Sequence, residues 1–144
     1  MFDRKRLKIL PLAERQNKMT LADIKELEGP ITKGDLDQTA QKNIEILAEL
    51  IIQRRRQNKQ AVWVMGAHVL RRGNSRYIID LMRRGIITHI AVNMAVAIHD
   101  FELSHIGATL EDVELYIKDG RFGNWEETGE YLNKAIADGY WDGI

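Results

Sequence analysis

Cysteine is absent from this chain of 144 residues, which excludes disulfides, thiolate metal sites and a cysteine nucleophile. Net charge is absent as well. Lys and Arg number 21, as do Asp and Glu, so there is no overall cationic field to attract nucleic acid. No apolar run approaches the roughly 18 residues that a membrane-crossing helix needs. The basic start, MFDRKRLKIL, lacks the apolar stretch and small-residue cleavage site of a secretory signal. Neither G-x-G-x-x-G nor G-x-x-x-x-G-K-S/T occurs, so the familiar phosphate-cradling glycine patterns are missing. Internal repeats and low-complexity tracts are missing too. The expectation is a cytoplasmic protein with neither nucleic acid nor membrane as partner.

What is present suits one packed domain. The chain is long enough to bury a core, and its 44% hydrophobic and 29% charged residues are ordinary for a globular protein. Residues 1–19 mix basic and apolar side chains around Pro11 and read as an arm packed on the domain. Leu10, preceding proline, is biased to an extended backbone. Arg15 and Lys18 can reach a phosphate or a carboxylate from this arm, or simply be solvated. Thr20 can cap a short helix over 21–28, and Gly29-Pro30 breaks the chain. From Asp35 to about Asn58, Ala40, Ile44, Leu47, Ala48 and Ile51 recur at helical spacing, widened by Leu50 and Ile52. This pattern implies a long helix buried on more than one side. Arg54-Arg55-Arg56 stand at its C-terminal end, where cations complement the helix dipole.

The informative stretch follows. Ala61–Met65 is nearly all apolar and reads as a strand buried on both faces. After a turn at Gly66, Asn74 or Ser75 can cap a helix running to Arg84, with Gly85 at the left-handed position beyond it. Ile86–Val92 is a second strand. About twenty residues separate the strands, too many for a hairpin and enough for a crossover helix, so the unit is βαβ with parallel strands. A helix over Ala95–Ser104 ends at Gly107. Thr109 then caps a helix closed by Gly120, Arg121–Trp125 is a linker with an aromatic anchor, and Glu126–Ala137 is a last helix. The tail GYWDGI leaves Trp141 and Ile144 in need of neighbours, from an oligomer partner or from further chain.

Parallel strands place Gly66-Ala67-His68 and Asn93 at one sheet edge, where open α/β sheets bind ligands. A glycine there allows close backbone approach, a helix N-terminus offers free N–H groups, and Arg71 and Arg72 add charge. A plain βα turn fits the same spacing. Asn93, His99, Asp100 and Glu102 put polar groups into an otherwise apolar run, which is costly without partners. His99 and Asp100 can act as acid and base, but a structural histidine or a surface pair fits equally. His105 raises a His/Asp/Glu metal site. Of that set only His99 and Glu102, at i,i+3, share a helix face, and no metal is expected.

The segment GAHVLRRGNSRYIIDLMRRGIITHIAVNMAVAIHDFELSHIG resembles the nucleotide-binding core of deoxyhypusine synthase and its relatives. It is also similar to the NAD-binding domain of archaeal-type ornithine cyclodeaminases, with their Asn-small-residue-His-Asp run after the second strand. The resemblance covers roughly Ala61 to Ile117. It implies an α/β, Rossmann-like fold with a mainly parallel sheet, and NAD held by Gly66, Ala67, His68, Asn93, Met94 and Ala95. His99 and Asp100 would border the nicotinamide or an amine or amino-acid substrate. The chain departs from the synthase in both loops, where Met94 and Val96 are bulkier than glycine, and it lacks the C-terminal half that bears the synthase's catalytic lysine. Lys118 and Lys134 lie in helical patterns without that context. The expectation is therefore an NAD-dependent transferase-like or cyclodeaminase-like domain, incomplete as an enzyme and homo-oligomeric. The alternative is a non-catalytic assembly or regulatory module that kept the fold.

Overall fold

The computed structural model describes residues 3, 6–27 and 36–144. The described residues are mixed α/β, with six α-helices and four strands. The strands pair in two separate two-stranded sheets, one parallel and one antiparallel, where the resemblance implied a single, mainly parallel sheet. Among the described residues no helix is long and apolar enough to cross a membrane. Backbone contacts gather into two compact units, Ile24–Asn93 and Met1–Asp23 with Met94–Ile144.

In the unit Ile24–Asn93, the break expected at Gly29-Pro30 and the helix start at Asp35 lie outside the described residues. Helix α1, Gln38–Arg56, begins at Asp37, whose Oδ1 accepts from the Ala40 N–H at 2.7 Å. Strand β2, Val62–Met65, is followed by the single turn α2, His68–Arg71, then α3, Ser75–Arg83, and strand β3, His89–Val92. β2 and β3 are parallel, with Val62 opposite His89 and Met65 opposite Val92. The βαβ expectation holds, with α2 and α3 as the crossover a parallel pair requires. Thr88 pins the start of both strands. Its Oγ1 accepts from the Ala61 N–H at 2.9 Å and donates to the Ala61 carbonyl at 3.0 Å. At the end of α3, Gly85 takes φ +67 as expected. The Arg55 guanidinium reaches the Gly85 carbonyl at 2.8 Å and also the Lys59 carbonyl, tying the ends of α1 and α3 together.

Two burial expectations fail in this unit. β2 is not buried on both faces, since Val62 is 59% and Val64 78% exposed while Trp63 and Met65 are partly covered. A pleated strand sends alternate side chains to opposite faces, and only one face of β2 is covered. On α1 the apolar stripe is in place, yet Ile44, Leu47 and Leu50 stay exposed. Periodicity gathers apolar residues on a face, but burial needs a second surface. Part of that stripe lines an apolar cleft of about 520 Å³ with Leu47, Ile51, Ile52, Trp63, Leu81 and Ile87 among its walls.

In the other unit, strand β1, Asn17–Thr20, comes from the segment read as an arm. It pairs antiparallel with strand β4, Ala108–Glu111, with Met19 opposite Thr109. Thr109 is therefore not a helix cap but an inward strand residue, fully buried. The cap lies three residues on at Asp112, whose Oδ1 accepts from the Leu115 N–H ahead of helix α5, Val113–Tyr116. Lys18 donates to the Asp112 carboxylate and holds its pKa below the usual range. Helix α4, Met94–Ile106, ends at Gly107, and helix α6, Glu126–Asp142, runs five residues past the expected Ala137. Gly107 has φ +68, and its carbonyl accepts from the Leu21 N–H at 3.0 Å. The core joins Leu12, Tyr116 and Trp125, with the two aromatic rings edge-to-face at 5.0 Å. Leu10 is extended as expected and bridges to Trp125. Beyond them Tyr140, Trp141 and Ile144 are exposed.

Two predictions follow from these contacts. A side chain at Gly107 would have to adopt the left-handed conformation, which costs about 1–2 kcal/mol, while the added Cβ would meet Leu21 Cδ1 at an ordinary contact distance of 3.4 Å. Urea unfolding of Gly107→Ala should show a loss of about that size. The Leu12 N–H donates to Glu127 Oε2 at 2.6 Å and lowers the Glu127 pKa. A depressed carboxylate stabilises the fold above its unfolded-state pKa, and this is lost as pH falls through the lower folded value. Glu127→Gln should thus lower the melting temperature at neutral pH and narrow its difference from wild type in acid.

Candidate functional site

The candidate residues fall in both units. Gly66, Ala67, His68 and Asn93 belong to Ile24–Asn93, at the C-terminal ends of β2 and β3, while Met94, Ala95, His99 and Asp100 lie on α4. Gly66 has no left-handed backbone requirement. Apart from its chain neighbours, the nearest atom among the described residues to a Cβ built there is Asn93 Nδ2, at an ordinary contact distance of 3.9 Å. The expected helix N-terminus is weaker than the sequence implied, because α2 is four residues long and Gly73, at φ +72, interrupts it before α3. One turn aligns too few peptide dipoles to act as an anion site. Asn74 sits at the N-cap of α3, but its side chain does not cap the helix. Its Oδ1 accepts from Lys25 Nζ at 3.1 Å instead. Arg71 has its Nε buried with no hydrogen-bond partner among the described residues, and Arg72 is exposed.

On α4, Met94, Ala95 and Asp100 are exposed, whereas His99 is turned inward with its side chain 15% exposed. His99 and Glu102, one helical turn apart, face a polar cluster built from four elements. Glu102 is 1% exposed. Its Oε1 accepts from Arg15 Nη1 at 2.6 Å and from Thr128 Oγ1 of α6 at 3.1 Å. Its Oε2 accepts from Thr109 Oγ1 of β4 at 2.6 Å. His99 Nδ1 lies 2.7 Å from Thr109 Oγ1 and 3.9 Å from Glu102 Oε2. Arg15 also donates from Nε to Asn17 Oδ1 at 2.8 Å and places its guanidinium 5.7 Å from the centre of the Trp125 ring. Its Nη2 is buried and has no hydrogen-bond partner among the described residues. A buried carboxylate tolerates desolvation only when paired and hydrogen-bonded, and Glu102 has both kinds of partner.

His105 takes another role. It stacks on Phe101 at 5.2 Å and meets Tyr131 edge-on at 5.7 Å, a ring cluster on α4 and α6. Among the described residues no three His, Asp or Glu gather as a metal site. Of the cluster around Glu102, sequence reasoning marked His99 and Glu102 as sharing a face and allowed Arg15 to reach a carboxylate. It misplaced Thr109 on a helix and passed over Thr128. The one legible signal was the cost of placing Glu102 in an apolar run. Compared with known proteins, the chain matches no protein-family model, no curated protein and no solved structure.

Leaving one partner of this buried pair alone should be costly. Arg15→Met is expected to lose about 3–5 kcal/mol of unfolding free energy, and the double variant Arg15→Met/Glu102→Leu to regain much of it. Denaturant titration of the two variants checks this. A double variant no more stable than the single one would show that the cluster's hydrogen bonds, rather than its stranded charge, set the stability.

Proposed function

We propose that this chain is the NAD-binding portion of a deoxyhypusine synthase-like protein, with an amine or amino acid as its substrate class and transient oxidation and reduction as its chemistry. The observation that supports the proposal is the parallel β2–β3 pair, with Gly66 and Asn93 just beyond the C-terminal ends of its strands, the edge at which open α/β sheets bind ligands, and a glycine where any other residue would carry a side chain. On this reading β2 and β3 belong to a Rossmann-like, mainly parallel sheet. As the resemblance implies, Gly66, Ala67, His68, Asn93, Met94 and Ala95 would hold the dinucleotide, with the bare backbone at Gly66 admitting it. NAD, when bound, supplies a hydride acceptor. His99 and Asp100 would move protons at the substrate. The compartment would be the cytoplasm.

A second reading, a non-catalytic assembly module, is favoured by the exposed apolar stripe of α1 and by exposed Tyr140 and Trp141. Large apolar patches on a protein surface commonly mark interfaces. On this reading the purified protein is a homo-oligomer that carries no dinucleotide.

Calorimetric titration of the full chain with NAD and NADH tests the first reading. Saturable binding is expected, and Gly66→Val should weaken it at least about tenfold, equivalent to about 1.4 kcal/mol. Circular dichroism at the assay temperature checks that the variant is folded; apart from its chain neighbours, no atom of the described residues lies closer than 3.9 Å to a Cβ at Gly66. Absence of heat with either nucleotide would overturn the proposal and leave the assembly module.

A further inference from the structure

The polar cluster on α4 determines more than stability, because it fixes where His99 carries its proton. The Arg15 guanidinium can only donate hydrogen bonds. Paired with it at 2.6 Å, Glu102 is a carboxylate, and both of its oxygens accept. The Thr109 hydroxyl has a single hydrogen, and Glu102 Oε2 takes it at 2.6 Å. Toward His99 the same hydroxyl can therefore only accept. The atom facing it at 2.7 Å is Nδ1, which must be the donor. Which imidazole nitrogen carries the proton is set by the hydrogen bond at the other one.

The geometry thus assigns Arg15, Glu102 and Thr109 as positioning residues for His99: they hold Nδ1 protonated, so that Nε2 is the atom through which the ring gains and loses a proton. The imidazolium releases its Nε2 proton to a base and returns to the neutral Nδ1–H form, while Nδ1–H stays on Thr109 throughout. The four elements involved, the segment carrying Arg15, α4, β4 and α6, meet only in the folded chain, so the unfolded chain has no such preference. The tautomer stands on this geometry alone. Only its use toward an amine or amino-acid substrate rests on the function proposed above.

The test is a long-range ¹H–¹⁵N correlation spectrum of the uniformly labelled full chain, without nucleotide, at a pH where the ring is neutral. His99 is identified as the one of four histidines whose signals vanish in His99→Gln. The expected spectrum shows a protonated Nδ1 and an unprotonated Nε2, with about a tenfold preference for that form, the size one hydrogen bond can impose. Thr109→Val should abolish the preference, and Thr109→Ser, which keeps the hydroxyl, should retain it. A wild-type ring protonated at Nε2, or a Thr109→Val protein that keeps the Nδ1–H form, would overturn the assignment. Were Thr109→Val not to fold, the wild-type spectrum alone would decide. Because no nucleotide is present, failure of this inference is separable from failure to bind NAD.

Discussion

The buried pair of Arg15 and Glu102 is the constraint on which the unit around α4 depends. Desolvating a carboxylate is expensive, and a single hydrogen bond does not offset it. Glu102 therefore draws donors from three other parts of the chain, Arg15, Thr109 and Thr128. Each donor is the local anchor of its element: Arg15 follows the turn that buries Leu12, Thr109 lies in β4 opposite Met19, and Thr128 opens α6. Satisfying one carboxylate thus joins the segment carrying Arg15, α4, β4 and α6. The same geometry spends the Thr109 hydrogen on Glu102 and so determines the donor role of His99.

The unit Ile24–Asn93 is organised differently, by backbone pairing rather than by charge. Two parallel strands, a broken crossover helix and a long amphipathic helix supply the βαβ geometry, with Thr88 and Arg55 closing its ends. Its surface remains rich in apolar side chains on α1 and β2. A two-stranded parallel sheet has little surface with which to cover them, since parallel sheets ordinarily gain stability from layers on both faces.

Much of the secondary structure was legible because its signals are local. Gly85 and Gly107 end helices where expected, since each adopts a left-handed φ that glycine accepts without strain, whereas α5 stops at Tyr116, four residues before Gly120. The parallel strands were legible from the length of chain between them. Strand β4 was not. Thr109, Glu111 and Asp112 look like a helix start, and the competing interaction is a pairing with β1 some ninety residues earlier, which no local pattern carries. The same holds for the site. His99 and Glu102 were readable as a shared helix face, but Arg15 and Thr128 are joined to them only by folding.

What the sequence determined by itself is whatever depends on neighbours along the chain: helix periodicity, glycine stops, the βαβ spacing, and the exclusion of thiol chemistry. What only the tertiary structure decided is burial and hydrogen-bond partnership. An apolar stripe on α1 became exposed surface because burial requires a second surface. An acidic residue in an apolar run became the hub of a cluster because its donors arrive from distant segments, and the protonation site of His99 follows from those donors.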